Sequence, residues 1–352
     1  MRVLACREWG GPERLAIEEW PSPVPGPGEV LVRVAAVGVN FTDVLAVAGR
    51  SQLRRHLPFV PGVEAAGTVV AVGPGVTRLG MGMRVLGTVV DGAFAEEALF
   101  PQDALAVIPD SMDWDTAAVF FIAAMTAHYA LVDRARLKAG ESLLVLGAGG
   151  GAGLAAVEIG KAQGVRVIAG ASSEEKLALA VARGADAAIL YPAGSLDLEA
   201  QKALTAAFLA RADPLPSGGM VELERISSLR SGAGFSVVFD GVGGSYAEPA
   251  LRALAWQGRY LSVGFAAGMP KVALGPALFK NADIMGVQLS DDAVRLPGRN
   301  ADAMARLFRW FEEGRLRPQV TESFDFDSAA EALQRLARRE ARGRLVVRTG
   351  QG

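Results

Sequence analysis

The stretch LLVLGAGGGAGLAAVEIGKA, residues 143–162, decides how the rest of the chain is read. Residues 143–146 form a short apolar run of the kind that becomes a fully buried strand. Residues 147–153 are glycine and alanine only, and an apolar helix-forming run follows at once. Strand, glycine-rich turn and helix, in that order, are the setting in which a glycine fingerprint carries weight. Glycine lets the backbone turn tightly and lie against a pyrophosphate, and the unpaired N–H groups of the next helix face its charge. The stretch therefore predicts a dinucleotide site on a Rossmann-type, doubly wound parallel sheet of the α/β class.

Working outward, 352 residues suggest about two domains. An apolar fraction of 51% is enough for a large core. With 36 basic against 38 acidic residues, the charge balance gives no reason to expect a nucleic acid or membrane partner. The single cysteine, Cys6, excludes an internal disulfide and suggests a reducing, cytoplasmic setting. Two histidines, His56 and His128, leave too few ligands for a zinc site. No signal peptide is visible in the first twenty residues, and no apolar run reaches membrane-spanning length without glycine or charge.

Before the glycine stretch, residues 30–39, 65–72, 84–90 and 96–100 read as strands at short spacing, which suggests a compact barrel-like domain. Residues 113–133 read as an alanine-rich helix started by Asp113 or Asp115. Asn40 and Asp43 read as caps of a turn or helix, and Glu64 as a structural carboxylate. After it, strands are expected at 165–169, 186–190, 235–240, 259–264 and 282–289, with a closing strand at 345–347. Helices are expected at 198–210, 220–229, 301–313 and 328–339. The arginines Arg335, Arg338, Arg339, Arg342 and Arg344 read as a solvated face.

The second strand ends at Ala171, where an NAD-preferring site usually carries an acid for the ribose 2′-hydroxyl. Without an acid a 2′-phosphate is not repelled, and Ser172, Ser173 and Lys176 offer two hydroxyls and a positive charge. NADPH is therefore the expected cofactor. Ser172 with Glu175 also fits a capping box, and the two roles are compatible.

The segments PGPGEVLVRVAAVGVNFTD (25–43), PGVEAAGTVVAVGPGV (61–76) and GAFAEEALF (92–100), followed by the glycine stretch, resemble the medium-chain dehydrogenase/reductase superfamily. More narrowly they resemble its zinc-free, zeta-crystallin-like quinone oxidoreductase branch. The resemblance implies a chaperonin-10-like, β-barrel-containing catalytic domain from residues 1–121 and 292–352 around a nucleotide domain at 122–291. Asn40 and Val63 stand where zinc enzymes of the superfamily have Cys and His, and the four-cysteine loop is missing. In the fingerprint, Ala148, Gly150 and Gly153 fill the three glycine positions, so Gly150, Gly151, Ala152 and Gly153 are expected against the cofactor. By resemblance Thr126, Val242, Gly264, Phe265 and Ala266 lie near the nicotinamide and Tyr191 near the 2′-phosphate. Asn40 is expected to hydrogen-bond the acceptor oxygen or the cofactor ribose. The strand at 282–289 is expected to pair with a second copy in a homodimer.

The implied reaction is hydride transfer from NADPH to a quinone or other conjugated carbonyl. Two other readings stay open. One is a 2-enoyl thioester reductase of the same superfamily, for which the basic loop of Arg50, Arg54, Arg55 and His56 could attract phosphates. The other is a nucleotide-binding structural, RNA-binding or membrane-associated protein with little turnover. The crossover at 192–234 is about 25 residues longer than the resemblance implies. It is expected to hold two helices joined by a mobile proline–glycine link.

Overall fold

The computed structural model describes all residues except 52, 215–232, 290–298, 319 and 352. The chain divides into two compact units. The first contains Met1–Ala123, Met304–Glu312 and Pro318–Gly352; the second contains Ala124–Ala303 and Glu313–Arg317.

In the second unit, six strands lie parallel in the order Ala187–Leu190, Arg166–Ala171, Ser142–Leu146, Ala233–Asp240, Leu254–Ser262 and Asp283–Gly286. The order reverses between Ser142–Leu146 and Ala233–Asp240, and ligands of such sheets sit at the carboxyl ends beside that point. Every residue of Ser142–Leu146 is buried, which is why this segment reads as a continuous apolar run rather than an alternating one. Helices Gly151–Ala162, Glu174–Ala182 and Leu198–Leu209 connect or flank these strands. Leu204 and Phe208 of the last helix join Leu144, Ile168, Tyr191, Phe235 and Tyr246 in one core.

In the first unit, a seven-stranded sheet is built mainly on Glu29–Gly38. That long strand pairs antiparallel with Glu64–Val72, Glu97–Pro101 and Arg344–Arg348. Arg84–Thr88, Leu105–Val107 and Val320–Asp325 complete the sheet, and Arg2–Ala5 with Ala16–Glu19 forms a separate hairpin. Register shifts within the pairing of Glu29–Gly38 with Glu64–Val72 bend the sheet over a core that includes Val30, Val34, Phe94, Phe100 and Leu345.

Several expectations change in detail. The helix expected at 113–133 is broken into Trp114–Ala118, Phe121–His128 and a wide-turned segment, Tyr129–Arg134. Asp113 caps the first piece by accepting from Thr116 N at 2.7 Å. The second strand of the parallel sheet runs two residues past 169, to Ala171. The last strand is only Asp283–Gly286, four residues rather than eight. The helix expected at 198–210 is present, whereas the one expected at 220–229 and its proline–glycine link lie outside the described residues.

Candidate functional site

The turn at 147–153 is shaped by contacts of very different closeness. A Cβ on Gly153 would lie 2.1 Å from the Gly147 carbonyl oxygen and 2.8 Å from Ala148 Cα. Only glycine lets the helix start so near its own turn. A Cβ on Gly149 would lie 2.4 Å from Lys176 Cβ, so the lysine stem is pressed onto the turn. Gly150 differs: an added Cβ would meet nothing closer than Gly147 O at 3.4 Å, and the residue is exposed. Packing explains the first two glycines; an approaching ligand would explain the third. Gly150 is also the N-cap of helix Gly151–Ala162 and supplies no capping side chain. The first-turn amides of Gly151, Ala152 and Gly153 therefore form a ready anion seat.

Around this turn the structure gathers most of the expected residues. Ser173, rather than Ser172, caps helix Glu174–Ala182, accepting from Lys176 N at 3.4 Å. The expected Ser172–Glu175 box is absent: a single cap forms one residue later, because the strand continues to Ala171, and Lys176 at the third helical position cannot accept in return. Tyr191 is buried, and its hydroxyl accepts from Gly147 N at 3.1 Å. Its ring packs on Tyr246 with centroids 5.0 Å apart. Tyr191 therefore supports the turn from within. Thr126 sits half-buried on helix Phe121–His128, with no described contact tying it to the turn.

Asp240, at the end of its strand, is a residue that reading the sequence passes over. It is fully buried, and its Oδ1 accepts from Val242 N at 2.7 Å and Gly243 N at 2.9 Å. Tyr260 donates its hydroxyl to the other carboxylate oxygen. Burial pushes the Asp240 carboxyl upward, and these three donors pull it back toward the ionised form. Its backbone carbonyl accepts from Val263 N and Gly264 N. One residue thus fixes the loop after its own strand and the start of the next. Ala267 N donates to Val242 O at 2.7 Å, closing Val242, Gly264, Phe265 and Ala266 into one wall. Val242 Cγ2 would lie 3.1 Å from a Cβ on Gly147, so this wall adjoins the glycine turn. The signal in the sequence was Asp followed by GVGG, an Asx-type turn.

The first unit holds a second polar cluster. Asn40 caps helix Phe41–Val47, and its backbone N donates to Asp43 Oδ2 at 2.8 Å. The Asn40 amide donates to Gly38 O at 3.1 Å and to Glu64 Oε2 at 3.0 Å. Both amide hydrogens are therefore spent. An acceptor oxygen would have to displace one of these bonds to reach the Asn40 amide, whose side chain also takes part in a capping box with Asp43. Glu64 is fully buried and also accepts from Ile122 N at 2.8 Å and from Arg344 Nη2 at 3.1 Å. Arg344 is not part of a solvated basic face: it is buried and also donates to Val119 O. Burial pushes Glu64 up and Arg344 down from their ordinary values, and each offsets much of the other's cost. Asp43, buried near the Glu64 charge, is pushed up to about 7, mainly by burial.

Among the described residues no group of three or more His, Cys, Asp or Glu could hold a metal ion, and no helix is long and apolar enough to cross a membrane.

Comparison with known proteins gives two family matches. Residues 26–110 match the alcohol dehydrogenase GroES-like domain, and residues 221–347 match the zinc-binding dehydrogenase family. A quinone oxidoreductase-like protein 2 homolog of Nematostella vectensis is 33% identical over 99% of this chain and 89% of its own. A quinone oxidoreductase of Pseudomonas aeruginosa is 31% identical over 96% of this chain and 97% of its own. A mycobacterial protein solved in complex with NADPH superimposes with a TM-score of 0.85, at 31% identity, covering 99% of this chain and 100% of that one. The relatives that match over nearly the whole chain are quinone oxidoreductases and quinone oxidoreductase-like proteins. By these matches the chain is an oxidoreductase and belongs to the zinc-free quinone oxidoreductase branch of the medium-chain dehydrogenase/reductase superfamily.

Proposed function

We propose that this protein transfers hydride from NADPH to a quinone or related conjugated carbonyl. The observation that carries the reading is the turn at 147–153, where Gly150 keeps an open face that packing does not require. The names of the relatives point the same way. When bound, the dinucleotide supplies the hydride; the chain binds it, orients it and excludes competing reactions.

The amides of Gly151, Ala152 and Gly153 would meet the pyrophosphate at the uncapped helix start. Lys176, held against Gly149, and Ser172, left out of the cap, would meet the 2′-phosphate, with Ser173 ordering the helix and adding a hydroxyl. Tyr191 would act chiefly by bracing Gly147. Val242, Gly264, Phe265 and Ala266 would wall the nicotinamide on the loops that Asp240 fixes, and Thr126 would border it. Asn40, its donors spent, would accept from a ribose hydroxyl rather than polarise the substrate. We assign the first unit to catalysis and the second to nucleotide binding.

We also read the protein as a cytoplasmic homodimer joined through Asp283–Gly286. That strand is the outermost of its sheet, and an open edge favours pairing. Ile284 on it is an exposed apolar residue, as are Leu278 and Phe279 on helix Gly275–Lys280, which precedes it in the chain.

The test is Lys176→Gln with both nicotinamide nucleotides. Equilibrium titration should show NADPH affinity falling about tenfold, the loss of one charge-assisted phosphate contact, with NADH affinity within about twofold of wild type. Equal losses for both nucleotides would remove Lys176 from the phosphate site.

A further inference from the structure

In the second unit, the loop that begins at Val242 is tied to a segment from the far side of the sheet. Strand Ala187–Leu190 is the outermost of the parallel strands and stands three places from Ala233–Asp240. At ordinary strand spacing that is about 14 Å. The chain that leaves it nevertheless returns to Ser245 and Tyr246. Leu196 N donates to Ser245 Oγ at 2.8 Å. The Tyr246 hydroxyl lies 2.6 Å from Pro192 O and 2.7 Å from Gly194 O, so its one proton is shared between two carbonyls. Residues 192–195 are exposed, whereas Tyr246 and Leu196 are buried. An exposed stretch is thus pinned from beneath.

Tyr246 makes further contacts on its other sides. Its ring packs on Tyr191, whose hydroxyl accepts from Gly147 N and whose backbone N donates to Ala171 O at 3.0 Å. The Tyr246 backbone N donates to Gly243 O at 3.2 Å, and Gly244 N donates to Gly268 O at 2.8 Å. Gly243 holds a φ of +66°, and a Cβ on it would lie 2.8 Å from Gly268 O, so the two loops touch here. Through Tyr246 and Tyr191, the segments that follow strands Ala187–Leu190, Arg166–Ala171, Ser142–Leu146 and Ala233–Asp240 are joined at the carboxyl end of the sheet.

We propose that Tyr246 is a positioning residue for the nicotinamide dinucleotide: its hydroxyl pins residues 192–194 to the Val242 loop, and its ring holds Tyr191 where that hydroxyl braces Gly147. The proposal rests on the hydride-transfer reading and adds to it a residue that acts through others, without touching the cofactor. Removing the hydroxyl releases both carbonyls at once, and with them the segment that keeps the two tyrosines together. The glycine turn and the nicotinamide wall then lose their common support.

Equilibrium titration of Tyr246→Phe with NADPH and with NADH, beside wild type, tests this. Phenylalanine keeps the ring and removes the shared proton. The dissociation constants of both nucleotides should rise about fivefold, because the loops held here face the pyrophosphate and nicotinamide that the two have in common. In steady-state quinone reduction, KM for NADPH should rise by a similar factor with kcat within about twofold of wild type. Ser245→Ala, which removes the tie to Leu196, should shift both nucleotides in the same direction. A lowered melting midpoint with unchanged dissociation constants would make Tyr246 a stabilising residue only and overturn the proposal, as would a loss confined to NADPH. Wild-type protein that binds neither nucleotide would overturn the hydride-transfer reading and this proposal with it.

Discussion

The glycine turn of the second unit and the Asn40–Glu64–Arg344 cluster of the first are built on opposite principles. The turn works by removing side chains: Gly149 and Gly153 let backbone and Lys176 close in, and Gly150 leaves a space. Its polar groups are backbone amides, set by the local turn and braced by the Tyr191 hydroxyl on Gly147 N. The cluster works by burying side chains that water would otherwise solvate. Glu64, Asn40 and Arg344 stand inside the unit only because each is partnered. A site of the first kind tolerates no added atom at its packed glycines, Gly149 and Gly153, and one of the second kind tolerates no lost partner.

The strongest way to break this contrast is Gly153→Val. Its Cβ would fall 2.1 Å from a backbone oxygen that cannot swing away, so the turn itself must move. A loss of more than about 5 kcal/mol is expected, seen as failure to accumulate folded protein or a collapsed melting midpoint. A near-native melting temperature would show that the turn is more compliant than its contacts indicate.

Arg344→Met should come next, destabilising by about 3–5 kcal/mol because it leaves the Glu64 carboxylate buried without its ion partner. Denaturant unfolding of the double variant Glu64→Gln with Arg344→Met should recover a large part of that loss, since no charge is then stranded. Strictly additive losses would mean the pair is not a coupled unit.

The smallest effect concerns pH. Burial pushes Asp43 up to about 7, far above its ordinary value of 3.8. Between these values the folded chain holds a proton that the unfolded chain has released. Stability attributable to this group is thus full below about pH 4 and declines as pH rises toward 7. Glu158, buried beside Arg183 and likewise pushed up to about 7, contributes with the same sign from its own ordinary value of 4.5. Unfolding free energies of Asp43→Asn should vary less between pH 5 and 7 than those of wild type, by on the order of 2 kcal/mol. An unchanged slope would place the Asp43 titration outside this window.

The same contrast explains what could be read from the sequence. The turn, its strand and its helix occupy twenty consecutive residues, and backbone sites of this kind show themselves as glycine spacing. Lys176 and Ser172 stand out as phosphate candidates because they follow the next strand at a fixed distance. Arg344 was not, since 280 residues separate it from Glu64 and nothing near it distinguishes a buried arginine from the solvated ones around it. Asp240 was visible as a strand end but not as the residue fixing two loops, because its contact with Tyr260 exists only once neighbouring strands align. The cap at Ser173 instead of Ser172 reflects strand pairing that carries Arg166–Ala171 two residues beyond its apolar run.

The brief antiparallel pairing of Asp213–Pro214 with Ala233–Gly234 has a consequence for how this chain can change. It places the exit and re-entry of the long crossover at the amino end of the Ala233–Asp240 strand, while Asp240 and the glycine turn stand at the carboxyl ends. The two ends of that excursion stand a strand's length from the loops proposed to face the cofactor. The crossover is therefore a natural position for grafting a label or an affinity handle.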